Sequence, residues 1–173
     1  MKNMKDIFEE IYRDYFQRVY AFLFKMTANP DLAEELTQET FYQAFVSFHR
    51  FEGKCDIFTW LASIAKHTYY KFLKKNKLGF DTLDITELES YCLDDDSANP
   101  QTAVQNKNMR ETVSRFVGDL PEKYRDVVLL RIYADMPFSQ IAASLKITEN
   151  SAKVIFFRAK KMLSEDLKDE FTV

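Results

Sequence analysis

The amino-acid composition predicts an all-α protein. Only 3 Gly and 4 Pro occur in 173 residues, too few for the many turns of a β-sandwich or barrel. Leu, Ala, Glu, Lys and Gln, which favour helices, recur throughout. Hydrophobic residues at 46%, with 16 Phe and 9 Tyr, provide enough apolar surface for a folded core. A chain of this length forms one core or two small ones, so the pattern along the chain decides between them.

Three helices are predicted in the N-terminal part of the chain. Apolar residues recur every four positions up to about residue 28 and predict the first helix. Asn29 and Pro30 form a cap-plus-proline start signal for a second helix, which runs to about residue 48. The third helix is predicted over residues 58–77.

An acidic segment separates these helices from the rest. Residues 81–98 contain seven acidic residues, no Lys or Arg, and no sustained apolar period, which predicts a flexible linker. The net charge of −3 hides this asymmetry, because the remaining 24 basic and 20 acidic residues leave the rest of the chain at +4. Further helices are predicted at about 100–117, 121–134, 138–145 and 149–168. The prediction is therefore two small helical domains, residues 1–80 and 99–173, joined by the linker 81–98.

Several classes of function are disfavoured. The first ten residues lack the apolar core of a signal peptide, and no uncharged run approaches the roughly 18 residues of a membrane span, so a cytoplasmic protein without membrane insertion is expected. Cys55, Cys92 and two His give no zinc-type spacing, and both thiols are expected to be reduced. With no Gly-rich phosphate loop or Gly-x-Ser-x-Gly elbow, neither an enzyme, a cofactor nor a small-molecule substrate is expected.

The third helix has a basic face interleaved with aromatic residues. On a helical wheel Phe58, Leu61, Ala65, Tyr69 and Phe72 form the core arc. The opposite arc suits phosphate contact by Lys and stacking of exposed bases on rings. Its residues are Trp60, Ser63, Lys66, His67, Tyr70, Lys71, Lys74, Lys75 and Lys77. The alternative is a solvated lysine face without a ligand. Trp60, on the polar arc, must either pack under a neighbouring loop or meet a partner.

The segment SQIAASLKITENSAKVIFFRAKKML, residues 139–163, is a helix-turn-helix candidate with Thr148 as the N-cap of its second helix. Val154 and Phe157 are apolar residues on the outward face, which suits contact with thymine methyl groups in the major groove. Asn150 and Lys153 are expected to reach base edges, and Arg158 and Lys161 to reach phosphates. The alternative is that two exposed apolar residues have no role.

Three stretches in this order resemble the extracytoplasmic-function group of bacterial RNA polymerase sigma factors. DLAEELTQETFYQAF (31–45) is similar to that family's polymerase-binding motif, and FTWLASIAK (58–66) to its promoter-melting helix. Residues 120–163, LPEKYRDVVLLRIYADMPFSQIAASLKITENSAKVIFFRAKKML, resemble its C-terminal domain. The two domains then correspond to sigma region 2, with core polymerase binding and minus-ten recognition and melting, and sigma region 4, with minus-thirty-five recognition.

The resemblance implies particular partners and residues. It implies that the second helix binds a coiled coil of the largest polymerase subunit through Glu35, Leu36, Gln38, Glu39 and Phe41. It implies that the third helix and the loop 52–56 open the minus-ten element, with Trp60, Ser63, Lys66, His67, Tyr70, Lys71, Lys74 and Lys75 on the DNA. For the minus-thirty-five element the expected residues are Asn150, Ser151, Lys153, Val154, Phe157, Arg158 and Lys161. A membrane-bound or soluble anti-sigma factor that controls the protein is a further implied partner, and the linker is expected to thread into basic polymerase channels.

The chain departs from the family pattern at three positions. His67 stands where Asn is frequent, Lys146 where the turn often has Gly, and Ile155 where the recognition helix often has Arg. The main alternative function is a stand-alone helix-turn-helix regulator, which leaves the motif at 31–45 unexplained. An interaction adaptor leaves the outward face of the last helix unexplained. A carboxylate-metal site at Glu34, Glu35 and Glu39 lacks the Glu-x-x-His pairs of such bundles.

Overall fold

The computed structural model describes residues 1–76 and 115–171, and every regular element in these two ranges is helical. The N-terminal range contains three long helices. The C-terminal range begins with helical residues 115–119 and continues with three helices, the first of which is followed by a π-helical turn. The elements are α1 (Met4–Thr27), α2 (Pro30–Ser47), a 3₁₀ turn (Phe48–Arg50), α3 (Ile57–Lys75), α4 (Glu122–Val128), the π turn (Leu129–Tyr133), α5 (Phe138–Leu145) and α6 (Glu149–Phe171). The predicted all-α class is confirmed.

Side-chain caps fix the starts of the first three helices. Asn3 accepts a hydrogen bond from the backbone N–H of Asp6 at 2.9 Å, and Asp6 reaches back to the N–H of Asn3. Asn29 caps α2 through the N–H of Leu32 at 3.1 Å, with Pro30 in the first turn, as the sequence signal predicts. Asp56 caps α3 in the same way. Each cap satisfies a backbone donor that the first turn leaves unpaired.

The N-terminal domain is a three-helix bundle in which α1, α2 and α3 all contact one another. Val19, Phe22 and Leu23 of α1 are buried with Leu36 of α2 and Leu61 of α3. These positions recur at helical spacing on their own helices, so burying one stripe of each brings all three together. The hydroxyl of Tyr69 donates to the backbone carbonyl of Met26 at 3.1 Å, which ties the middle of α3 to the end of α1.

The C-terminal domain packs α4 and α5 against α6. The sequence predicts one helix over residues 121–134, but the helix changes to π-type hydrogen bonding at Leu129, where the N–H of Ala134 bonds to the carbonyl of Leu129. Asp135 then adopts φ 50°, and the chain turns into α5. The predicted helix is therefore present from Glu122 to Tyr133, with π-type winding in its second half. The apolar run Val127–Leu130 is buried throughout, so periodicity alone did not reveal the change in winding.

Two predicted elements lie outside the described residues. The acidic linker at 81–98 falls wholly within 77–114, and so does most of the helix predicted at 100–117. Residues 115–119, which overlap the end of that helix and continue past it, are helical. The exact domain boundaries at 80 and 99 stay predictions.

The two helical domains pack against each other in this structure. Helix α3 contacts α5, and α1 contacts the π turn. Lys25 of α1 donates to the backbone carbonyl of Tyr133 at 3.4 Å. Buried residues of both domains belong to one continuous apolar cluster. This arrangement decides which parts of the predicted DNA-binding faces are open to solvent.

Candidate nucleic-acid and polymerase interfaces

The outward face of α6 is open along its whole predicted length. Ala152, Ala159 and Leu163 are buried against the domain, as the helical wheel predicts. On the opposite side Val154 is 39% exposed and Phe157 is 61% exposed. The polar residues predicted on this face are also exposed, namely Asn150, Ser151, Lys153, Arg158 and Lys161. The structure thus brings all seven predicted residues together on one accessible surface.

The turn before α6 holds this helix in place. Thr148 accepts a hydrogen bond from the N–H of Ser151 at 3.1 Å, which confirms it as the N-cap. Lys146 closes α5 in the left-handed conformation, with φ 56° and ψ 44°. This backbone conformation favours Gly, so the Lys at this position carries some strain. Lys153 forms an ion pair with Glu149 one turn earlier, at 3.2 Å, which orients its side chain across the first turns of α6.

The predicted DNA-facing residues of α3 divide into two groups. His67, Lys71, Lys74 and Lys75 are exposed. Ser63 and Tyr70 are half-buried, and Lys66 has a side chain that is only 2% exposed. The wheel prediction that Lys66 faces solvent is therefore wrong for this arrangement of the domains. A helical wheel predicts which side of a helix faces the core of its own domain. It does not predict whether a second domain covers the opposite side.

Trp60 packs under a neighbouring loop, which is one of the two alternatives left open by the sequence. Its ring centroid lies 5.0 Å from that of Phe51 and 6.0 Å from that of Phe48. Phe48 belongs to the 3₁₀ turn and Phe51 follows it. The ring remains half-exposed. Trp60 is thus held by the loop that precedes α3 while one part of it stays accessible.

A polar cluster joins the two domains over the middle of α3. Lys66 donates to one carboxylate oxygen of Asp126 at 3.0 Å, and the hydroxyl of Tyr70 donates to the other at 2.6 Å. The Arg125 guanidinium lies 5.0 Å from the centroid of the Tyr70 ring. Burial and then the neighbouring Asp126 carboxylate raise the pKa of Tyr70 far above its usual range, so the hydroxyl stays a donor. These four residues form what we call the interdomain cluster.

A second polar contact lies at the start of α3. The side-chain oxygen of Gln140, in α5, accepts from the backbone N–H of Asp56 and from the hydroxyl of Thr59, each at 3.2 Å. Thr59 and Lys66 lie two turns apart on the same side of α3. Helix α5 and helix α4 of the C-terminal domain therefore cover one continuous stripe of α3.

The predicted polymerase-binding residues of α2 lie on two different sides of that helix. Glu35, Gln38 and Glu39 are exposed, and the Gln43 amide donates to Glu39 at 2.7 Å. Leu36 and Phe41 are buried in the N-terminal core. A polymerase subunit can therefore reach the three polar residues directly, whereas Leu36 and Phe41 contribute by packing the helix.

Sequence reasoning missed several residues of these surfaces. It assigned no role to Asp126, Gln140, Tyr42 or Val46, and it counted Phe45 among the apolar residues that define the second helix. The side chains of Tyr42, Phe45 and Val46 are exposed on α2. The sequence contains one signal for Asp126, which directly precedes the apolar run Val127–Leu130. An acid next to a buried run can itself be buried, and a buried acid almost always has a partner. The partner itself, 60 positions earlier, has no local signature.

The described residues were also compared with the requirements of a metal site, a membrane span and a reactive thiol. Within 1–76 and 115–171, no group of three or more His, Cys, Asp or Glu side chains could hold a metal ion. Over the same ranges, no helix is long and apolar enough to cross a membrane. Cys55 is a free thiol whose pKa is raised by burial and by the adjacent Asp56. Cys92 lies outside the described residues.

Two family models match the chain in the order of its domains. The model for Sigma-70 region 2 matches residues 11–78. The model for Sigma-70 region 4 matches residues 110–163. The first match covers the three-helix bundle, and the second covers α4, α5 and most of α6.

Curated relatives match over almost the full length of the chain. The ECF RNA polymerase sigma factor SigX of Bacillus subtilis (strain 168) is 30% identical over 173 residues, which covers 95% of this chain and 85% of the relative. The ECF RNA polymerase sigma factor SigM of the same strain is 27% identical over 161 residues, covering 90% of this chain and 91% of the relative.

Solved structures show the same fold at low sequence identity. CnrH in complex with the cytosolic domain of CnrY gives a TM-score of 0.60 at 16% identity, covering 96% of this chain and 90% of that one. The sigma factor RpoE from Bartonella quintana, in complex with the anti-sigma factor NepR, gives a TM-score of 0.59 at 19% identity, covering 93% and 96%.

Proposed function

We propose a role for each surface of this molecule on one premise: the chain belongs to the ECF RNA polymerase sigma factors. It is an alternative sigma factor that binds bacterial core RNA polymerase and directs it to promoter DNA for transcription initiation. The observation that carries this conclusion is the match to SigX over 95% of this chain, together with both Sigma-70 regions in their order.

The exposed face of α2 is the core polymerase contact. Glu35, Gln38 and Glu39 are accessible on a helix whose opposite side is buried, so they can pair with polar groups of a polymerase coiled coil without disturbing the bundle. The exposed rings of Tyr42 and Phe45 lie further along the same helix and extend the accessible surface with apolar area. Apolar and polar residues side by side are typical of protein interfaces.

Helix α6 reads the minus-thirty-five element, and α3 acts on the minus-ten element. Val154 and Phe157 lie among basic residues, which supports base contact flanked by phosphate contact. On α3, the exposed His67, Lys71, Lys74 and Lys75 form a basic surface for separated strands. Trp60 is held by Phe48 and Phe51 with part of its ring free to stack on a base.

The protein acts by binding and not by catalysis, and it works in the cytoplasm, where the polymerase is. An anti-sigma factor controls it. This part of the proposal is supported by Bartonella quintana RpoE, a neighbour in fold that was solved with the anti-sigma factor NepR. Two small domains joined by a tether offer such a partner several surfaces to cover at once.

Binding to purified core polymerase tests this proposal against a stand-alone regulator. The full-length chain, labelled with a fluorophore, is titrated with bacterial core polymerase, and the unlabelled chain serves as competitor. Saturable binding that the unlabelled chain displaces is expected. A chain that binds duplex DNA but does not bind core polymerase would instead be an ordinary helix-turn-helix regulator.

A further inference from the structure

The exposed ring of Phe157 is supported by the ring that precedes it on α6. Phe157 is 61% exposed. The ring centroids of Phe156 and Phe157 are 6.1 Å apart, and their planes make an angle of 62°. Aromatic pairs prefer this edge-to-face geometry, because the positive edge of one ring meets the negative face of the other. Phe157 therefore has an aromatic contact on one side while the rest of its ring stays accessible.

Phe156 is in turn held by the neighbouring helix. Its ring centroid lies 5.5 Å from that of Phe138, the first residue of α5, again in an edge-to-face arrangement. The guanidinium of Arg131 lies 4.4 Å from the centroid of the Phe138 ring and also donates to the backbone carbonyl of Met136. A series of contacts thus leads from the turn before α5, through two half-buried rings, to Phe157.

Phe156 lies at the border between the buried and the outward side of α6. It is half-buried, whereas Ala152 and Ala159 on the packing side are fully buried. The ammonium of Lys160, one turn further along, lies 5.8 Å from the centroid of the Phe156 ring, within the range of a cation–π contact. Lys160 is exposed. Phe156 therefore contacts both an apolar and a basic side chain of the outward face.

This support affects how well Phe157 can contact a base. An exposed side chain that can change its orientation loses this freedom when it binds, and the loss opposes binding. One edge-to-face contact favours a single orientation by about twofold to tenfold. Contacts of lysine and arginine with phosphates do not involve the Phe157 ring. The support should therefore act on discrimination between sequences more than on general affinity for DNA.

We propose that Phe156 is a positioning residue for promoter readout. Its ring, held by Phe138, keeps Phe157 in the orientation that contacts bases of the minus-thirty-five element. The proposal rests on the proposed role of α6 in reading that element. Phe156 itself makes no contact with a base, so its effect passes through Phe157. Specificity at the base pairs next to Phe157 then depends on α5 as well as on α6.

Discrimination between two promoters tests this role. The full-length parent chain, bound to core polymerase, first selects an upstream sequence from a promoter library that is randomised in this region. The affinity of each variant holoenzyme is then measured for the selected promoter and for one with this sequence scrambled, and their ratio gives the discrimination. Phe156→Leu keeps an apolar side chain but removes the ring, so it should lower this ratio about fivefold.

A double-mutant cycle separates positioning from a general loss of packing. Phe157→Ala removes the residue through which Phe156 acts. When Phe156→Leu is added to Phe157→Ala, it should therefore change the ratio by less than about twofold. A packing defect would instead weaken binding to both promoters, and this loss would persist without the Phe157 ring.

Two further variants serve as controls. Phe156→Tyr keeps an aromatic ring at this position and should retain the discrimination of the parent. Phe116→Leu makes the same change as Phe156→Leu at another half-buried position of the C-terminal domain, where the ring contacts the Arg115 guanidinium at 5.2 Å. Its ratio should equal that of the parent. Thermal unfolding followed by circular dichroism shows whether each variant is folded at the assay temperature.

Two results would overturn the inference. One is a Phe156→Leu holoenzyme that discriminates as well as the parent. The other is a loss of discrimination that is equally large with and without the Phe157 ring. Failure of the proposed function gives different results, because a parent chain that does not bind core polymerase refutes the sigma-factor role, and one that selects no upstream sequence refutes readout by α6. If the parent selects a sequence and either overturning result is found, only the positioning role is wrong.

Discussion

Val154 and Phe157 are the apolar residues of an otherwise polar surface. They are exposed on α6 between basic side chains, and the buried side of the same helix already provides its packing. Apolar side chains at the centre of such a face can contact thymine methyl groups, which differ between base pairs. Lysines and arginines that flank them contact phosphates, which are the same at every base pair. We therefore expect position on the face to separate residues that read sequence from residues that only bind.

This separation predicts different effects for single substitutions. Lys153→Ala or Phe157→Ala should cost about 1–3 kcal/mol on the preferred site and relax the preference at one or two base pairs. Lys161→Ala, the matched basic control two turns further along α6, should weaken binding to all sequences and lower the salt slope by about one ion. A selection from a promoter library, done with each variant in holoenzyme, measures the difference. An unaltered upstream consensus for Lys153→Ala and Phe157→Ala would show that this face does not read bases.

Residue-level predictions from sequence succeeded where one helix decides the outcome. The buried and exposed sides of α6 follow the wheel, and Thr148 caps the helix as its side chain and position predict. The exposure of Lys66 was predicted wrongly because Asp126, which buries it, comes from the other domain. Long-range pairs of this kind leave no periodicity in the sequence, so only the folded arrangement reveals them.

At the scale of elements, α2 holds the N-terminal domain together with one side and leaves its other side, the proposed polymerase contact, exposed. Leu36 and Phe41 are buried, while Gln38 and Glu39 are exposed on the other side. Removing exposed polar side chains changes little in the stability of a helix, whereas removing buried ones leaves a cavity. The two sides can therefore be tested separately.

We expect the double variant Gln38→Ala and Glu39→Ala to bind core polymerase at least about tenfold more weakly, since it removes two polar partners at one interface. Helix content should be preserved, because Ala favours helices. Competition binding against the labelled parent measures the affinity, and circular dichroism measures the helicity. The control is Glu9→Ala with Gln17→Ala, which removes one exposed Glu and one exposed Gln from α1. Equal affinities of the two double variants would remove α2 as the polymerase contact.

Helix positions were predictable to within a few residues wherever a cap signal stands in the sequence. Asn29 and Pro30 mark the start of α2, and the structure begins that helix at Pro30. The change to a π turn at Leu129 was not predictable, because the apolar run from Val127 to Leu130 is buried on all sides and carries no helical period. Arg131 donates to the carbonyl of Met136 at 3.0 Å across the turn that follows.

At the scale of the whole molecule, the acidic segment 81–98 separates two more basic parts of the chain. Because it lacks an apolar period, we expect it to contribute to initiation and not to the stability of either domain. Replacing its seven acids by Asn or Gln should leave the melting temperature nearly unchanged and alter initiation or promoter escape in transcription assays. A large fall in melting temperature would show that the segment packs against a domain.

The arrangement of the two domains was the least predictable feature of this protein. The sequence predicts each helical domain from its own periodicity and caps, but the contacts between them are made by isolated polar residues such as Gln140 and Asp126. These residues look like ordinary surface positions until the partner helix is in place. The same contacts cover part of the α3 surface that the family resemblance assigns to DNA.

Run-off transcription tests the central claim most directly. Purified bacterial core polymerase is incubated with genomic promoter fragments, with and without the full-length chain. Defined transcripts should form only when the chain is present, and the variant carrying Gln38→Ala and Glu39→Ala should give fewer of them. If core polymerase with the chain produces the same transcripts as core polymerase alone, across a library of genomic fragments, the protein does not direct initiation and the account is wrong.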